Sequence, residues 1–420
     1  MAAGSPTFPG VDDGNAPPSS PPPQLARVAE VFGTFASLGV TSFGGPAAHL
    51  AHFRERCVHR LRWIDDTHYA QLVAFCHSLP GPTSSQAGFL LGWLRAGPAG
   101  ALAAWVAFTA PSAAVMIALA IALSSNADLS ASGWIAGMKA IVPAVVMHAV
   151  AGMARTLCRG AARVAIAIAA GSITLVWSHP IEQLVAIAAG AILGAICLRS
   201  DVRRQGADAH PLRISPAAAL SCVALLAAAL PAGLFAFGSH MAPYMSAGAL
   251  VFGGGHVVLP LLEADLVPNI IDQSRFLAGY GAAQAMPGPL FTIASYLGAA
   301  SSVRAGDAAG TAATWGIAAT LSIFAPGLLL AACVWPAWTS LSRLGGAMRA
   351  LAGVQAAVTG LLAGALIETV VPAAVAPDGR ADLWLCAIAA LAVAALRWGA
   401  PTWIVTVGGS LLGAALGALR

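Results

Sequence analysis

Pro80, Gly81 and Pro82 interrupt the otherwise apolar stretch FCHSLPGPTSSQAGFLLGWL at residues 75–94. Proline removes a backbone donor and breaks a helix interior, at about 3 kcal/mol or more. Thr83, Ser84 and Ser85 follow the break, and Gln86 comes next. A half-helix that starts at such a break presents unpaired N–H groups and the positive end of its dipole, an arrangement that favours an anion. The pattern returns around Pro287, Gly288 and Pro289, with Gln284 before the turn and Thr292 after it. Gln86 and Gln284 thus flank the two turns from opposite sides, within reach of an oxyanion. A second kind of break also occurs twice: SFGGPAAHL (42–50) holds Gly44, Gly45 and His49, and VFGGGHVVL (251–259) holds Gly253, Gly254 and His256. Glycines at these positions, as at Gly81 and Gly288, let backbone approach a ligand closely.

Charges inside apolar stretches are expensive and usually functional. Lys139, the sole lysine, corresponds to Arg349 across the repeat described below. Two cations suit a doubly charged anion. Both also sit within about one turn of an expected helix end, where they would reach the interface instead, and both readings stand. Glu30, Glu182 and Glu368 are candidate proton or cation handles, while His77 and His148 read more simply as packing histidines.

Other chemistries lack their residues. There is no GxxxxGK[ST] phosphate loop, so the chain has no ATPase of its own. Its seven cysteines are scattered singly, without CxxC or His/Cys metal spacing. Ser84 or Ser85 with His77 would form a dyad without an orienting third group. The expectation is a protein that is not an enzyme, with no cofactor, no metal and no nucleic-acid partner.

These residues have to be positioned by elements that live in lipid. The 420 residues are 58% hydrophobic and 9% charged, with a mean hydropathy of +0.78. A soluble domain carries about 25% charged residues. An all-α polytopic membrane protein is expected, with the lipid bilayer as its solvent. Apolar runs long enough to be spanning candidates are 98–124, 134–155, 163–177, 181–198, 216–238, 307–335, 346–370, 383–397 and 402–419. Segments 27–52, 70–94, 242–262 and 276–300 carry glycine and proline inside and read as broken, re-entrant elements. Irregular backbone is tolerated at membrane depth only where protein buries it or a polar cavity needs it.

The landmarks repeat. FTAPS (108–112) matches IFAPG (323–327), and with the two pairs of breaks the offsets run from 207 to 215 residues. The expected organisation is a disordered tail (1–24), a first repeat (25–198), a cytoplasmic loop with a linker helix (199–241) and a second repeat (242–420). Each repeat has two broken segments and four crossings. The loop at 53–68 carries Arg54, Arg56, Arg60 and Arg62, whereas its counterpart at 263–275 carries Glu263, Asp265 and Asp272 with only Arg275. By the positive-inside rule these loops face opposite sides. The repeats are therefore expected to be inverted, with the N-terminus cytoplasmic. Inverted repeats with paired interrupted helices mark the binding sites of many secondary transporters.

The motifs FGGPAAHL, LPGPTSSQ, FGGGHVVLPLLE and AMPGPLFTIASYLG resemble those of the chromate ion transporter family in its long, two-domain form, from about residue 27 to the C-terminus. The resemblance implies export of chromate across the bacterial inner (plasma) membrane, giving chromate resistance. It maps shared motif positions onto Phe43, Gly44, Gly45, Pro46, Pro80, Gly81, Pro82, Phe252, Gly253, Gly254, His256, Pro287, Gly288 and Pro289. Chromate is a tetrahedral dianion much like sulfate, so the residues alone leave sulfate, or an anion channel of the same fold, open. A homodimer is compatible with the sequence. Pro46 faces Gly255 across the repeat, so the two glycine breaks are not equivalent.

Overall fold

The structure is a computed structural model that describes residues 23–125, 133–177, 182–198, 238–251, 258–338, 344–367 and 383–418. The described residues are helical, with no strand among them. The first part of the chain folds as α1 (Gln24–Thr41), α2 (Gly45–Phe53), α3 (Asp66–Ser78), α4 (Thr83–Ser125), α5 (Gly133–Leu157), α6 (Ala161–Val176) and α7 (Glu182–Cys197). The second follows with α8 (Ala242–Leu250), α9 (Val258–Leu266), α10 (Gln273–Ala285), α11 (Ile293–Arg304), α12 (Ala309–Val334), α13 (Gly345–Ala365), α14 (Leu383–Arg397) and α15 (Thr402–Ala418). The expected linker helix at 216–238 lies almost wholly outside the described residues, as does the tail through residue 22.

Helix starts and stops follow local chemistry. Asp65 caps α3 by accepting the His68 amide, and Asp272 caps α10 by accepting the Arg275 amide. A carboxylate at this position satisfies an amide that the first helical turn leaves unpaired. Both capped helices are 13 residues long, and both end in extended backbone at a Pro-Gly-Pro turn. Helix α4 is two helices in line: Ala96 and Gly97 leave helical geometry, so a half-helix at 83–95 precedes a long helix from Pro98.

Among the described residues, four helical stretches are long and apolar enough to cross a membrane: Thr83–Leu123, Gly133–Leu157, Ala309–Ala337 and Gly345–Gly364. The apolar helices α6, α7, α14 and α15 are shorter. The 16 residues of α6 extend about 24 Å, against about 30 Å for a hydrocarbon core. Leu102, Ile168, Ile192, Ile317, Leu391 and Leu411 point outward, as a lipid-facing surface requires.

The two parts of the chain interlock. Helix α5 packs against α14 and α15, and α13 packs against α6 and α7. Small residues make these contacts. A Cβ on Gly137 would strike the carbonyl of Gly409, and one on Gly353 would strike the carbonyl of Gly190. Close backbone approach through glycine is how apolar helices associate where burial from water supplies no drive. The centre is aromatic: Phe53 contacts both Phe35 and Phe108 edge-on, at 5.3 and 5.2 Å between ring centroids.

Candidate functional site

The three breaks among the described residues meet in the interior. In the first, α1 stops at Thr41, Ser42 is extended, and Gly44 and Gly45 take φ of 99° and 79°. Those left-handed values are open to glycine and costly to other residues. Helix α2 then starts, with a proline in its first turn, where its missing N–H does no harm. In the second break, Leu79 is extended and Gly81 has φ of 119° before α4 begins at Thr83. Gly288 has φ of 98° in the matching turn.

The turns are tied across the two parts of the chain. The Gly81 amide donates to the Val251 carbonyl at 2.6 Å, and the Gly288 amide donates to the Ser42 carbonyl at 3.0 Å. Gly81 also packs so closely on Gly327 that an added Cβ would sit 2.8 Å from its Cα. A Cβ on Gly288 would sit 2.8 Å from Ser112 Oγ. Each Pro-Gly-Pro turn therefore rests on the long helix of the other part.

The first turn of α4 is polar and sealed. Thr83, Ser84, Ser85 and Gln86 are 2%, 3%, 1% and 0% exposed, and His49 is 1% exposed. Ser84 Oγ lies 3.2 Å from His49 Nδ1, and the His49 ring stands edge-on to Phe108 at 5.3 Å. The Gln86 side-chain amide donates to the Pro80 carbonyl at 2.7 Å and to the Gly327 carbonyl at 3.0 Å. Both of its donors are thus spent on holding the turn. What remains is a set of buried polar atoms without partners: Thr83 Oγ1, Ser85 Oγ, Gln86 Oε1, His49 Nε2 and Thr109 Oγ1. Burying a polar group unpaired costs about 1–3 kcal/mol. The amides of Thr83, Ser84 and Ser85 add to the donors, because the first turn of a helix has no carbonyl four residues back.

The second Pro-Gly-Pro turn differs. Thr292 Oγ1 donates to the Pro289 carbonyl at 2.9 Å, and Ser295 Oγ and Thr320 Oγ1 pair at 2.6 Å. Gln284 is hydrogen-bonded to Tyr280. The hydroxyls beside this turn are satisfied within the protein.

Not every expected site residue joins the breaks. Lys139 bonds Ser274 in the first turn of α10. The Pro-Gly-Pro turn lies at the other end of that helix, about 18 Å away at 1.5 Å per residue. Arg349 is half-buried on α13, its backbone carbonyl facing Gly194 on α7. Gly253, Gly254 and His256 lie outside the described residues. Glu30 pairs with Arg95 at 2.7 Å and accepts from Trp63 Nε1 at 3.1 Å. Sequence reading passed over Ser42 and Thr109. It also passed over Gln355, whose side chain donates to the His77 carbonyl at 3.1 Å. Ser42 had a signal, standing directly before the FGG motif; the other two had none.

A cavity of about 690 Å³ opens beside the 53–68 loop, lined by His59, Arg62, Trp63, Asp65 and His68, with Leu94 at its edge. Two acids of this loop are already occupied. Asp66 is paired with Arg54 at 2.7 Å. The amide and side chain of His68 hold the Asp65 carboxyl below the usual range. From Leu94 the half-helix of α4 runs about 16 Å inward to Thr83, roughly half of a hydrocarbon core.

Known proteins share these motifs. The chromate transporter family model matches the chain twice, over residues 29–195 and 239–414. The chain belongs to the chromate transporter family. It is 26% identical over 360 residues to the chromate transport protein of Pseudomonas aeruginosa, covering 83% of this chain and 82% of that one. It is 24% identical over 341 residues to a probable chromate transport protein of Synechococcus elongatus, covering 79% and 82%. The chromate transport protein of Cupriavidus metallidurans is 26% identical over 341 residues, covering 79% and 80%. No solved structure matches the chain significantly. Both matched regions of this chromate transporter family member contain a glycine break followed by a Pro-Gly-Pro turn.

Proposed function

We propose that this protein is a secondary transporter that exports chromate from the bacterial cytoplasm and so confers chromate resistance. The observation that carries the site is the sealed first turn of α4, where Thr83 and Ser85 hydroxyls are buried without partners. Oxyanion oxygens would take bonds from these hydroxyls and from the first-turn amides. The helix dipole adds favourable potential there. Gln86 holds the turn, and Gly81 lets it sit against Gly327. His49 faces this turn through Ser84, and Gly44 and Gly45 start the helix that carries it.

The two halves are read as inverted repeats joined by the 199–241 segment, the N-terminus and the arginine-rich 53–68 loop being cytoplasmic. The cavity at that loop would be the inward mouth, and the half-helix of α4 would lead from it to the membrane centre. Lys139 is assigned to its bond with Ser274 rather than to bound anion, whereas Arg349, whose Nε is buried without a hydrogen-bond partner, stays a candidate anion contact. Expelling a dianion is favoured by an inside-negative potential, by about 2.3 kcal/mol per charge per 100 mV. Two charges give about 4.6 kcal/mol by the same relation.

The test is chromate uptake into inside-out membrane vesicles carrying the protein, with and without an uncoupler and excess sulfate. Energised uptake that sulfate inhibits weakly is expected. Accumulation of labelled sulfate with no chromate uptake would overturn the substrate assignment.

A further inference from the structure

We propose that His49 is a proton-carrying ligand of the site, so that the bound chromate dianion is held together with one proton on the imidazole. The inference rests on the site assignment above and assigns His49 a role beyond facing the turn. His49 stands where three elements converge. Its Nδ1 is 3.2 Å from Ser84 Oγ in the first turn of α4. Its ring abuts Phe108 further along α4. It also lies by the Ser42 backbone, whose carbonyl holds Gly288 of the other turn. The ring is 1% exposed, and Nε2 is buried without a hydrogen-bond partner.

Among the described residues, the surroundings hold no fixed counter-charge for an imidazolium. Helix α4 has no ionisable side chain from Thr83 to Leu94 or from Pro98 to Ser125. On α1 the ionisable groups are Arg27 and Glu30 near its start, and Glu30 is paired with Arg95. On α2 itself the neighbour is a second histidine, His52, whose Nδ1 is 3.1 Å from Ser42 Oγ. The Pro287–Pro289 turn brings no charge. A buried imidazole in such a place keeps a proton only when something else supplies negative charge. A dianion at Thr83 to Ser85 supplies it. Binding of anion and proton are then mutually reinforcing, as linkage requires. The exported unit carries one net negative charge rather than two.

The test is chromate binding to the purified full-length protein by titration calorimetry, from about pH 8 upward, where chromate is almost wholly the dianion. Each point is measured in two buffers of different ionisation enthalpy to count protons. The wild type is expected to take up as much as one proton per chromate, its affinity falling by up to tenfold per pH unit. His49→Gln is expected to bind more weakly, with a flat pH profile and no proton uptake. His49→Asn, which keeps a polar atom near Ser84, serves if the Gln variant does not insert. A flat wild-type affinity overturns the proposal whatever the variants do. Equal proton uptake by wild type and either variant also overturns it. A wild type that binds no chromate removes the site itself, which is a separate failure of the functional reading.

Discussion

The amide of Gly288 donates to the carbonyl of Ser42 at 3.0 Å, and this bond has a counterpart in the Gly81 amide and the Val251 carbonyl at 2.6 Å. Ser42 and Val251 each directly precede an FGG motif. Each Pro-Gly-Pro turn is therefore held by the residue that precedes the FGG motif of the other half. The outer helices repeat the exchange, α5 packing on α14 and α15 while α13 packs on α6 and α7. Neither half then contains its own complete surroundings. Residues 1–205 and 206–420 expressed alone are expected to be degraded and inactive. Co-expression is expected to restore membrane-inserted protein and chromate resistance. Stable, active single halves would contradict the exchange.

Gly81 tests the turn itself. Its φ of 119° is open to glycine, and an added Cβ would meet Gly327 backbone at 2.8 Å, which has no side chain to move aside. Gly81→Leu is expected to abolish chromate transport. The matching Gly288 meets the Ser112 hydroxyl instead, so Gly288→Ala should recover part of its loss when Ser112 is changed to Gly. Immunoblots of membranes separate these site effects from misfolding. By contrast, Gly137→Leu or Gly353→Leu opens the helix packing and should lower the amount of protein in the membrane.

Much of this architecture is legible in the sequence, because lipid imposes simple rules. The expected spans 134–155 and 307–335 appear as Gly133–Leu157 and Ala309–Val334. Apolar length alone marks them, and the breaks announce themselves through residues with fixed backbone preferences. Pairings over long separations leave no such local mark. Nothing near Gly288 points to Ser42, and nothing near Lys139 points to Ser274. The two turns also differ at the level of hydrogen bonds. Thr83 directly follows its turn and finds no partner for its hydroxyl, whereas Thr292, three residues beyond the second turn, donates to the Pro289 carbonyl. The kink at Ala96 and Gly97, which joins the half-helix to the long helix, is visible in sequence only as a Gly-Pro step.

The proposed inverted topology makes a sidedness prediction. His59 and Asp265 are exposed and lie in or beside the two corresponding loops. In a background with the native cysteines replaced, His59→Cys should react with an impermeant maleimide in inside-out vesicles. Asp265→Cys should react in right-side-out vesicles. Labelling of both from one side would refute the inverted arrangement and leave the turn geometry standing.

The central claim is that chromate sits on the buried hydroxyls of the first Pro-Gly-Pro turn. The most direct measurement is equilibrium binding of chromate to purified protein, comparing Thr83→Val/Ser85→Ala with Thr292→Val/Ser295→Ala. A hydrogen bond to a charged partner contributes about 1.5–3 kcal/mol, so each hydroxyl lost at the first turn should weaken binding about tenfold or more. The first double variant should lose about a hundredfold in affinity, and the second should stay close to the wild type. Equal losses in the two, or none in the first, would contradict the account.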